Sequence, residues 1–519
     1  MDIYQPNDRR QSKFGQAVVS IVLVILAWVF FNLSAWVMGY DYWHNGIAGG
    51  SAPGSAGLPV LSTLKQLQSK APQTLTPATF SKLFQLSAAQ KAGNDGAGET
   101  ILFLEQNTNF SQNAFNDFCK TFGLPNEQIN LVGKKTKMKK NATLDETLMD
   151  VEWAHSVAPK AKLVVLGESG KTISQVEAMI KKVHPNAISD SHISFNFLLR
   201  NPFLGDSQVT LADWAARHYP YFVSSGDGGQ NVAPVAVVPN LVVVGGVSLS
   251  DFTKSEMNTV NYGPWSGEGY GRAVFEATSP PYQNKALQHQ SWWRQVPDVV
   301  WLAGYPEVAL RSGGGWTIGA GTSLATPMWA GLWVLADAAH VSKQHSHLPV
   351  HANQVLYQIH NADAKAYQQN LKVNGNKVQW GLGMPVPSQF VQAASNISAK
   401  NVPQWTGWSM ADVPGRIAYT ILVLFALNVV WQILVLAWNS LRSRSTYAGR
   451  NHRGHALATS LLSASSVGIL AVIGGAAGMF ARDLSAQGEL WIRNGFVLSL
   501  GLCVSILVVA AARYLSKTD

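Results

Sequence analysis

Four long apolar runs that contain no Asp, Glu, Lys or Arg most constrain what this chain of 519 residues can fold into. They cover residues 14–38, 417–441, 456–481 and 494–512. An α-helix needs about 20 apolar residues to cross about 30 Å of hydrocarbon. We therefore predict one transmembrane helix near the N-terminus and three near the C-terminus. The alternative for each run is a buried helix of a soluble core.

The first run has a second alternative, which is a cleaved signal peptide. Its apolar stretch exceeds the usual length of about 7–15 residues, and the bulky segment that follows has no Ala-x-Ala site. A retained anchor is therefore favoured. The run at 456–481 is rich in Gly, Ala and Ser, which favours close packing against other helices inside a membrane.

Basic residues near the ends of the runs predict the orientation. Arg9, Arg10 and Lys13 precede the first run, and the loop 442–455 has four Arg and no acid. Because such loops stay in the cytoplasm, both termini are expected there, with residues 39–416 periplasmic or extracellular. No run has an Asp, Glu, Lys or Arg at its centre, which argues against a transporter or channel.

The composition supports an integral membrane protein. Only 13% of residues are charged and 47% are hydrophobic, which excludes a disordered chain and disfavours a wholly soluble one. Two cysteines, Cys119 and Cys503, cannot build a disulfide framework, and Cys119 is expected to be a small buried residue. Five lysines at 134–140 indicate either a solvated loop or contact with anionic lipid. Nothing in the sequence indicates a nucleic-acid partner.

The segment between the apolar runs alternates strand-like and helix-like stretches after a Gly/Ser/Pro-rich linker at 41–60. Thr76 is expected to cap a helix that has Pro77 in its first turn. The alternation predicts an α/β domain with a parallel sheet covered by helices on both faces. Strands are predicted at 99–106, 162–168, 187–195, 221–227 and 241–249, and helices at 75–86, 114–124, 146–158 and 176–184.

The stretch GAGTSLATPMWAG, residues 319–331, is the sharpest local signal for chemistry. Gly321 would allow a tight turn, and Ser323 would then lie among the unpaired amides at a helix N-terminus, which can hold an oxyanion. The alternative is an ordinary helix in which the serine is only the N-cap.

A serine nucleophile needs a base. No histidine has the surroundings of a subtilisin-type catalytic histidine, and His155 on a predicted helix is expected to be structural. Glu146 and Asp150 are four residues apart and share one helix face, so a shared proton would raise one pKa. Such a pair is either a catalytic base or a solvated face.

Asp227 ends a predicted strand inside a Gly-rich turn, VSSGDGG. An Asp there is most often a turn residue. At the carboxyl end of a buried strand it can also point into a site, where its protonated form would donate a hydrogen bond to a developing oxyanion.

Taken in order, these pieces resemble the sedolisins, serine-carboxyl peptidases with a subtilisin-like fold. The family pattern of Glu-x-x-x-Asp, Ser-Gly-Asp and Gly-Thr-Ser with a downstream Pro is matched here at 146–150, 225–227 and 321–327. Further similar stretches occur at 75–84, 238–249 and 295–305. The resemblance spans residues 75–385 and leaves out the apolar runs.

The resemblance implies a peptide or protein substrate and a role for each matched residue. Ser323 attacks the peptide carbonyl, Glu146 takes and returns its proton, and Asp150 orients Glu146. Asp227, protonated, stabilises the oxyanion, which implies activity in acid, and Glu105 lies behind the catalytic pair. The alternative is a catalytically silent domain that binds or scaffolds a membrane complex.

Three departures from the family pattern stand out. The segment 39–74 is too short for the long folded propeptide that usually precedes the family's catalytic domain, so zymogen processing of the family kind is not expected. The family binds calcium through an Asp in a loop that corresponds to GNKVQWGLGMP here, where Lys377 takes the ligand position. Since no acid occurs from 365 to 402, the calcium site is expected to be absent, with no other cofactor. Phe195 stands where many members have Trp.

The expected organisation has four parts. Residues 1–38 form a cytoplasmic tail and anchor, 39–74 an extracytoplasmic linker, 75–400 the peptidase-like domain, and 401–519 a membrane domain with three helices. The lipid bilayer is one expected partner, and the C-terminal helices are candidates for packing against another membrane protein.

Overall fold

The computed structural model describes residues 60–405, apart from 134–141, 192–206, 230–237, 239, 251–260, 273–276, 288–290, 292–293, 369–378, 399–401 and 403–404. All four apolar runs predicted to span a membrane lie outside these residues. Within them, no helix is both long enough and apolar enough to cross a bilayer. The described residues all belong to one unit, Asp41–Phe195 with Asp206–Ala411.

Helices and strands alternate through the first part of the unit, as predicted. The helices are α1 Leu64–Lys70, α2 Pro77–Leu83, α3 Leu86–Ala92, α4 Gln112–Phe122, α5 Ala142–Val157, α6 Ile173–Val183, α7 Ser207–His218, α8 Pro281–Leu287, α9 Thr322–Gln344, α10 Ala352–Ala362 and α11 Pro387–Ala394. Short 3₁₀ turns occur at Asn94–Gly96 and Ala364–Ala366.

The strands build one large sheet and three small hairpin-like pairs. They are β1 Thr100–Glu105, β2 Asn130–Val132, β3 Lys162–Gly167, β4 Ala187–Asp190, β5 Tyr221–Ser224, β6 Val242–Ser250, β7 Asn261–Pro264, β8 Gly271–Arg272, β9 Gln295–Val296, β10 Val299–Leu302, β11 Val308–Ser312, β12 Gly315–Gly319, β13 Tyr367–Gln368 and β14 Met384–Pro385. The large sheet has the order β10-β6-β5-β4-β1-β3-β2, all parallel, with β7 antiparallel to β6.

Both faces of the sheet are covered, because side chains alternate along each strand. On β1, Ile101 and Phe103 join the core that includes residues of α5 and α9. Leu102 and Leu104 join a second core that includes residues of α6 and α7. This doubly covered parallel sheet was predicted from the sequence, and it fits a subtilisin-like fold.

Helix α9 is buried along most of its length and packs closely on α5. Gly331 permits the approach, since a Cβ there would lie 3.0 Å from the Val157 side chain and 3.2 Å from the Ala154 carbonyl oxygen. The helix begins at the edge of the sheet where the parallel strands end. In parallel sheets, sites form at this edge.

Several predicted boundaries shift for local reasons. Thr76 caps α2 with Thr79 in a reciprocal capping box, as expected, but the predicted helix 75–86 divides at Gln85, which has a left-handed φ of 52°. Helix α6 begins three residues before the predicted start of 176, because Thr172 and Gln175 form another capping box. Strand β4 ends at Asp190 rather than running on to Phe195, which lies outside the described residues.

Candidate active site

Helix α5 carries the two predicted acids on one face. Glu146 and Asp150 lie one turn apart, as their spacing of four predicts. Glu146 is half-buried, whereas Asp150 is fully buried. The pair is therefore not a solvated face, which was the alternative to a catalytic reading of the spacing.

Ser323 is the second residue of α9 and is nearly buried, at 9% exposure. The residue before the helix, Gly321, has φ +117°, which only glycine adopts readily, so the chain can turn sharply into the helix here. The Ser323 hydroxyl lies near enough to the Glu146 carboxylate to lower its pKa. The predicted nucleophile and the predicted base are thus neighbours in the fold.

Asp227 follows β5 and faces the start of α9. Its Oδ1 accepts two hydrogen bonds from Thr322, one from the amide at 2.9 Å and one from the hydroxyl at 2.8 Å. The Thr322 hydroxyl in turn accepts a hydrogen bond from the amide of Gly226 at 3.1 Å. These bonds lock the turn that carries Asp227 onto the first residue of the helix.

Asp227 and Ser323 border one small space beside Gly321. A Cβ built on Gly321 would lie 2.8 Å from Asp227 Oδ2 and 3.2 Å from Ser323 Oγ. The free oxygen of the carboxyl group and the serine hydroxyl therefore approach the same volume from two sides. A tetrahedral oxyanion next to the serine would need a donor in such a position.

More polar side chains lie behind the contact between Glu146 and Ser323. Burial raises the pKa of Glu105, at the end of β1, and the nearby charges of Glu146 and Asp190 raise it further. Asp190 ends β4 and accepts a hydrogen bond from the Tyr221 hydroxyl at 2.7 Å. Ser191 donates a hydrogen bond to the Ser323 carbonyl oxygen at 3.3 Å.

Of these, Glu105 was expected from the resemblance, whereas Asp190 and Ser191 were missed. The signal for both was their place at the carboxyl end of a parallel strand, where sites form. The sequence analysis extended this strand to residue 195. Asp190 and Ser191 were therefore placed inside the strand and not at its carboxyl end.

Burial governs the electrostatics of the site. It raises the pKa of Glu146 to about 7, with the hydrogen bond from Ser323 lowering it and the charge of Asp227 raising it. Burial also raises the pKa of Asp227, against the two hydrogen bonds from Thr322. A proton therefore remains between these two carboxyls well above the pH at which ordinary acids lose theirs.

The pKa of Asp150 is raised well above its usual value by burial and then by the charges of Glu105 and Glu146. Neither oxygen of Asp150 meets hydrogen-bond geometry with the described residues, although the Ser191 hydroxyl lies near enough to lower its pKa. Asp150 is thus positioned next to Glu146 by burial on α5 rather than by a direct bond.

His155 and Cys119, which were expected to be structural residues, are both buried in the fold. His155 is buried, its Nε2 lies 2.7 Å from the Pro125 carbonyl oxygen, and burial lowers its pKa to about 4. Cys119 is buried, and burial raises the pKa of its thiol to about 12. The five lysines at 134–140, Lys377 and Cys503 lie outside the described residues.

Comparisons with known proteins give similarity in fold only. No protein-family model matches the chain, and a search among curated proteins finds no match in sequence. Among solved structures, the chain is similar to a Pseudomonas sedolisin, a serine-carboxyl proteinase complexed with two molecules of pseudo-iodotyrostatin. The two are 18% identical, with a TM-score of 0.48, over 62% of this chain and 97% of the other.

Two further structures are similar to this chain. One is a lanthipeptide protease, at 14% identity and a TM-score of 0.36 over 60% of this chain and 94% of the other. The other is the prenylagaramide maturation protease PagA, at 12% identity and a TM-score of 0.36 over 61% and 99%. None of these likenesses identifies a catalytic residue in this chain.

Proposed function

We propose that the chain is a serine-carboxyl endopeptidase that hydrolyses peptide bonds with Ser323, Glu146 and Asp150, assisted by Asp227. The observation that carries the proposal is that Ser323 Oγ and Asp227 Oδ2 border the same space beside Gly321, with the Glu146 carboxylate near the serine hydroxyl. A serine hydroxyl becomes a useful nucleophile when a neighbouring base takes its proton, and this contact supplies the base.

The proposed reaction runs in two halves. Ser323 Oγ attacks the peptide carbonyl while Glu146 accepts the hydroxyl proton, and Asp227 donates its own proton as a hydrogen bond to the oxyanion. Glu146 then gives the proton to the leaving amine as the C–N bond breaks, which leaves an acyl group on Ser323. Water, activated by Glu146, releases the acid and restores the serine.

The same geometry supports activity in mild acid. The reaction needs one proton shared by the two carboxyls, because Glu146 must be ionised and Asp227 protonated. Since burial raises both pKa values, and that of Glu146 to about 7, this single proton is retained up to about neutral pH. Asp150 and Glu105, buried behind Glu146, would keep it oriented.

The proposal includes the membrane. The apolar runs at 14–38 and at 417–441, 456–481 and 494–512 support an anchored protein whose peptidase domain faces the periplasm or the exterior. The C-terminal runs are then free to pack against lipid or another membrane protein. No calcium ion is proposed at the family position, since Lys377 and the lack of acids from 365 to 402 do not suit one.

The decisive experiment measures peptide cleavage by the purified full chain from pH 3 to pH 8, beside Ser323→Ala. A diverse peptide library with mass-spectrometric readout avoids any assumption about specificity. We expect cleavage by the wild type and a loss of about 10⁴-fold or more in Ser323→Ala, because removal of a triad member leaves only oxyanion binding.

Ser395→Ala is the matched control, since this half-buried serine just after α11 bonds the Gln392 carbonyl oxygen through its hydroxyl, at 2.8 Å, and should leave cleavage unchanged. Equal inertness of wild type and Ser323→Ala on all peptides would contradict the proposal. That result would favour the silent domain, which binds a peptide or a membrane partner without cutting it.

A further inference from the structure

Three potential metal ligands lie together at the edge of the sheet opposite Ser323. Glu99 directly precedes β1, whose other end is Glu105. Asp337 lies on α9, 14 residues after Ser323, which is about 21 Å along the helix axis. His347 belongs to the loop that follows α9. The group is therefore separate from the candidate active site.

The three side chains converge on one point. One ligand atom from each, a carboxylate oxygen or an imidazole nitrogen, lies within 4.8 Å of the other two. His347 Nδ1 is 2.9 Å from Asp337 Oδ2, and the Leu348 amide donates a hydrogen bond to Asp337 Oδ1 at 2.6 Å. Glu99 is only 4% exposed, and its Oε2 has no hydrogen-bond partner among the described residues.

The charges of the group are not balanced. Glu99 and Asp337 are both buried, and no Lys or Arg among the described residues forms an ion pair with either of them. Two buried carboxylates without a cation are costly, so the site suits a bound positive charge.

We propose that Glu99, Asp337 and His347 bind one Zn²⁺ ion that ties the start of β1 to α9 and to the loop after it. An imidazole nitrogen with two carboxylate oxygens suits zinc, whereas calcium prefers six to eight oxygens. His347 is largely exposed, with 61% of its side chain accessible, so a water molecule can reach the fourth position.

The distances suit this assignment. Zinc bonds of about 2.0–2.2 Å in a tetrahedron place the ligand atoms about 3.4 Å apart. The present group needs to contract from at most 4.8 Å, and His347 Nδ1 already lies 2.9 Å from Asp337 Oδ2. At about 21 Å from Ser323 along α9, the ion would stabilise the fold rather than take part in peptide cleavage.

The test compares zinc binding and thermal unfolding of the full chain, prepared without a polyhistidine tag and stripped with EDTA. We expect one equivalent of Zn²⁺ per chain at this site and a rise of several degrees in Tm at saturating zinc. Glu99→Gln and His347→Ala should each lose this equivalent and the rise in Tm. His345→Asn is the matched control, because it removes an exposed imidazole two residues away and keeps a residue that tolerates the left-handed φ of 57°.

The metal-free proteins give a second measurement. Without zinc, Glu99→Gln should unfold at the same temperature as the wild type or higher, because it removes one of two repelling carboxyls. Retention of the full rise in Tm by Glu99→Gln would show adventitious binding by others of the 13 histidines and overturn the proposal. No zinc-dependent rise in the wild type would also overturn it, and would leave a carboxyl pair that shares only a proton.

Discussion

Replacing Asp227 with Asn tests whether its carboxyl group acts as a proton-bearing donor. Asn keeps the shape of the side chain but carries no charge at any pH. The Thr322 amide and hydroxyl both donate to Oδ1, at 2.9 and 2.8 Å, and an amide nitrogen cannot accept such bonds. The Asn carbonyl oxygen must therefore face Thr322, and its NH₂ group must take the position of Oδ2 beside Ser323.

This orientation sets the expected magnitude. Asp227→Asn keeps a donor toward the oxyanion, so we expect kcat at pH 5 to stay within about 10-fold of the wild type. Asp227→Ala loses the donor, which typically costs about 10²–10³ in kcat, or roughly 2.7–4 kcal/mol. Asp227→Ala also leaves the Thr322 amide without its acceptor, at a cost of about 1 kcal/mol in stability, as for loss of a helix cap.

The pH profile separates the variants further. In the wild type, activity should fall as pH rises through about 7, because the shared proton is then lost. In Asp227→Asn the donor cannot ionise, and the pKa of Glu146 falls because the charge of Asp227 no longer raises it. Its activity should therefore stay level above pH 7 and exceed that of the wild type at pH 8.

The assay is kcat and KM for one cleaved peptide from pH 3 to pH 9, with circular dichroism of each variant as a check on folding. If Asp227→Asn is as inactive as Asp227→Ala at every pH, the donor role is refuted. A fall in its activity above pH 7 that matches the wild type would refute the link between the alkaline limb and Asp227.

Three further predictions follow from the same geometry. Glu146→Gln cannot accept the proton of Ser323, so kcat should drop about 10²–10⁴-fold with KM little changed, and activity within threefold of wild type would contradict the base role. Gly321→Ala places a methyl group 2.8 Å from Asp227 Oδ2 and 3.2 Å from Ser323 Oγ, at a φ of +117° that alanine rarely adopts. We expect at least about 100-fold less cleavage by this variant, with circular dichroism to show that the chain is folded. Unaltered kinetics would disprove that the oxyanion occupies the space beside Gly321. Urea unfolding of the full chain should give a lower free energy of unfolding at pH 8 than at pH 5. The pKa of Glu146 is raised in the fold, so the stability that Glu146 contributes is complete below its unfolded pKa of 4.5 and is lost as pH rises through about 7. The loss is about 1.4 kcal/mol per pH unit for each extra proton that the folded state holds.

Sequence patterns predicted the fold because its elements carry local signals. The alternation of strand and helix gave the parallel sheet, and Gly123, with φ +70°, ends α4 where the sequence predicted a helix end. The capping pair at Thr76 was visible in the same way. The β11–β12 pair was not predicted, since no strand was assigned just before the serine motif, which shares only Gly319 with β12.

The candidate site was predictable in its members but not in its bonds. The spacing of Glu146 and Asp150 shows a shared helix face, yet only the packing of α9 on α5 shows that Ser323 reaches Glu146 rather than solvent. The hydrogen bonds from Thr322 to Asp227 join residues 95 positions apart in the chain, and no local sequence pattern predicts such a contact. The same holds for Glu99, whose partner Asp337 comes from a distant helix.

Stability and activity should depend on pH in different ways, although both depend on the same carboxyls. Burial raises the pKa of Glu105, Asp150 and Glu146, so these three groups hold more protons in the folded domain than in the unfolded chain, and their contribution to stability falls as pH rises. His155 acts in the opposite direction, because its pKa is lowered to about 4 and it costs stability as pH falls below its unfolded value of 6.5. Cleavage needs a single proton between Glu146 and Asp227, so it should pass through a maximum. A fall in activity in acid, measured where circular dichroism shows the chain to be folded, therefore comes from protonation of Glu146. Asp227→Asn should leave that acid limb almost in place, because Asp227 is already protonated and uncharged where Glu146 takes up its proton.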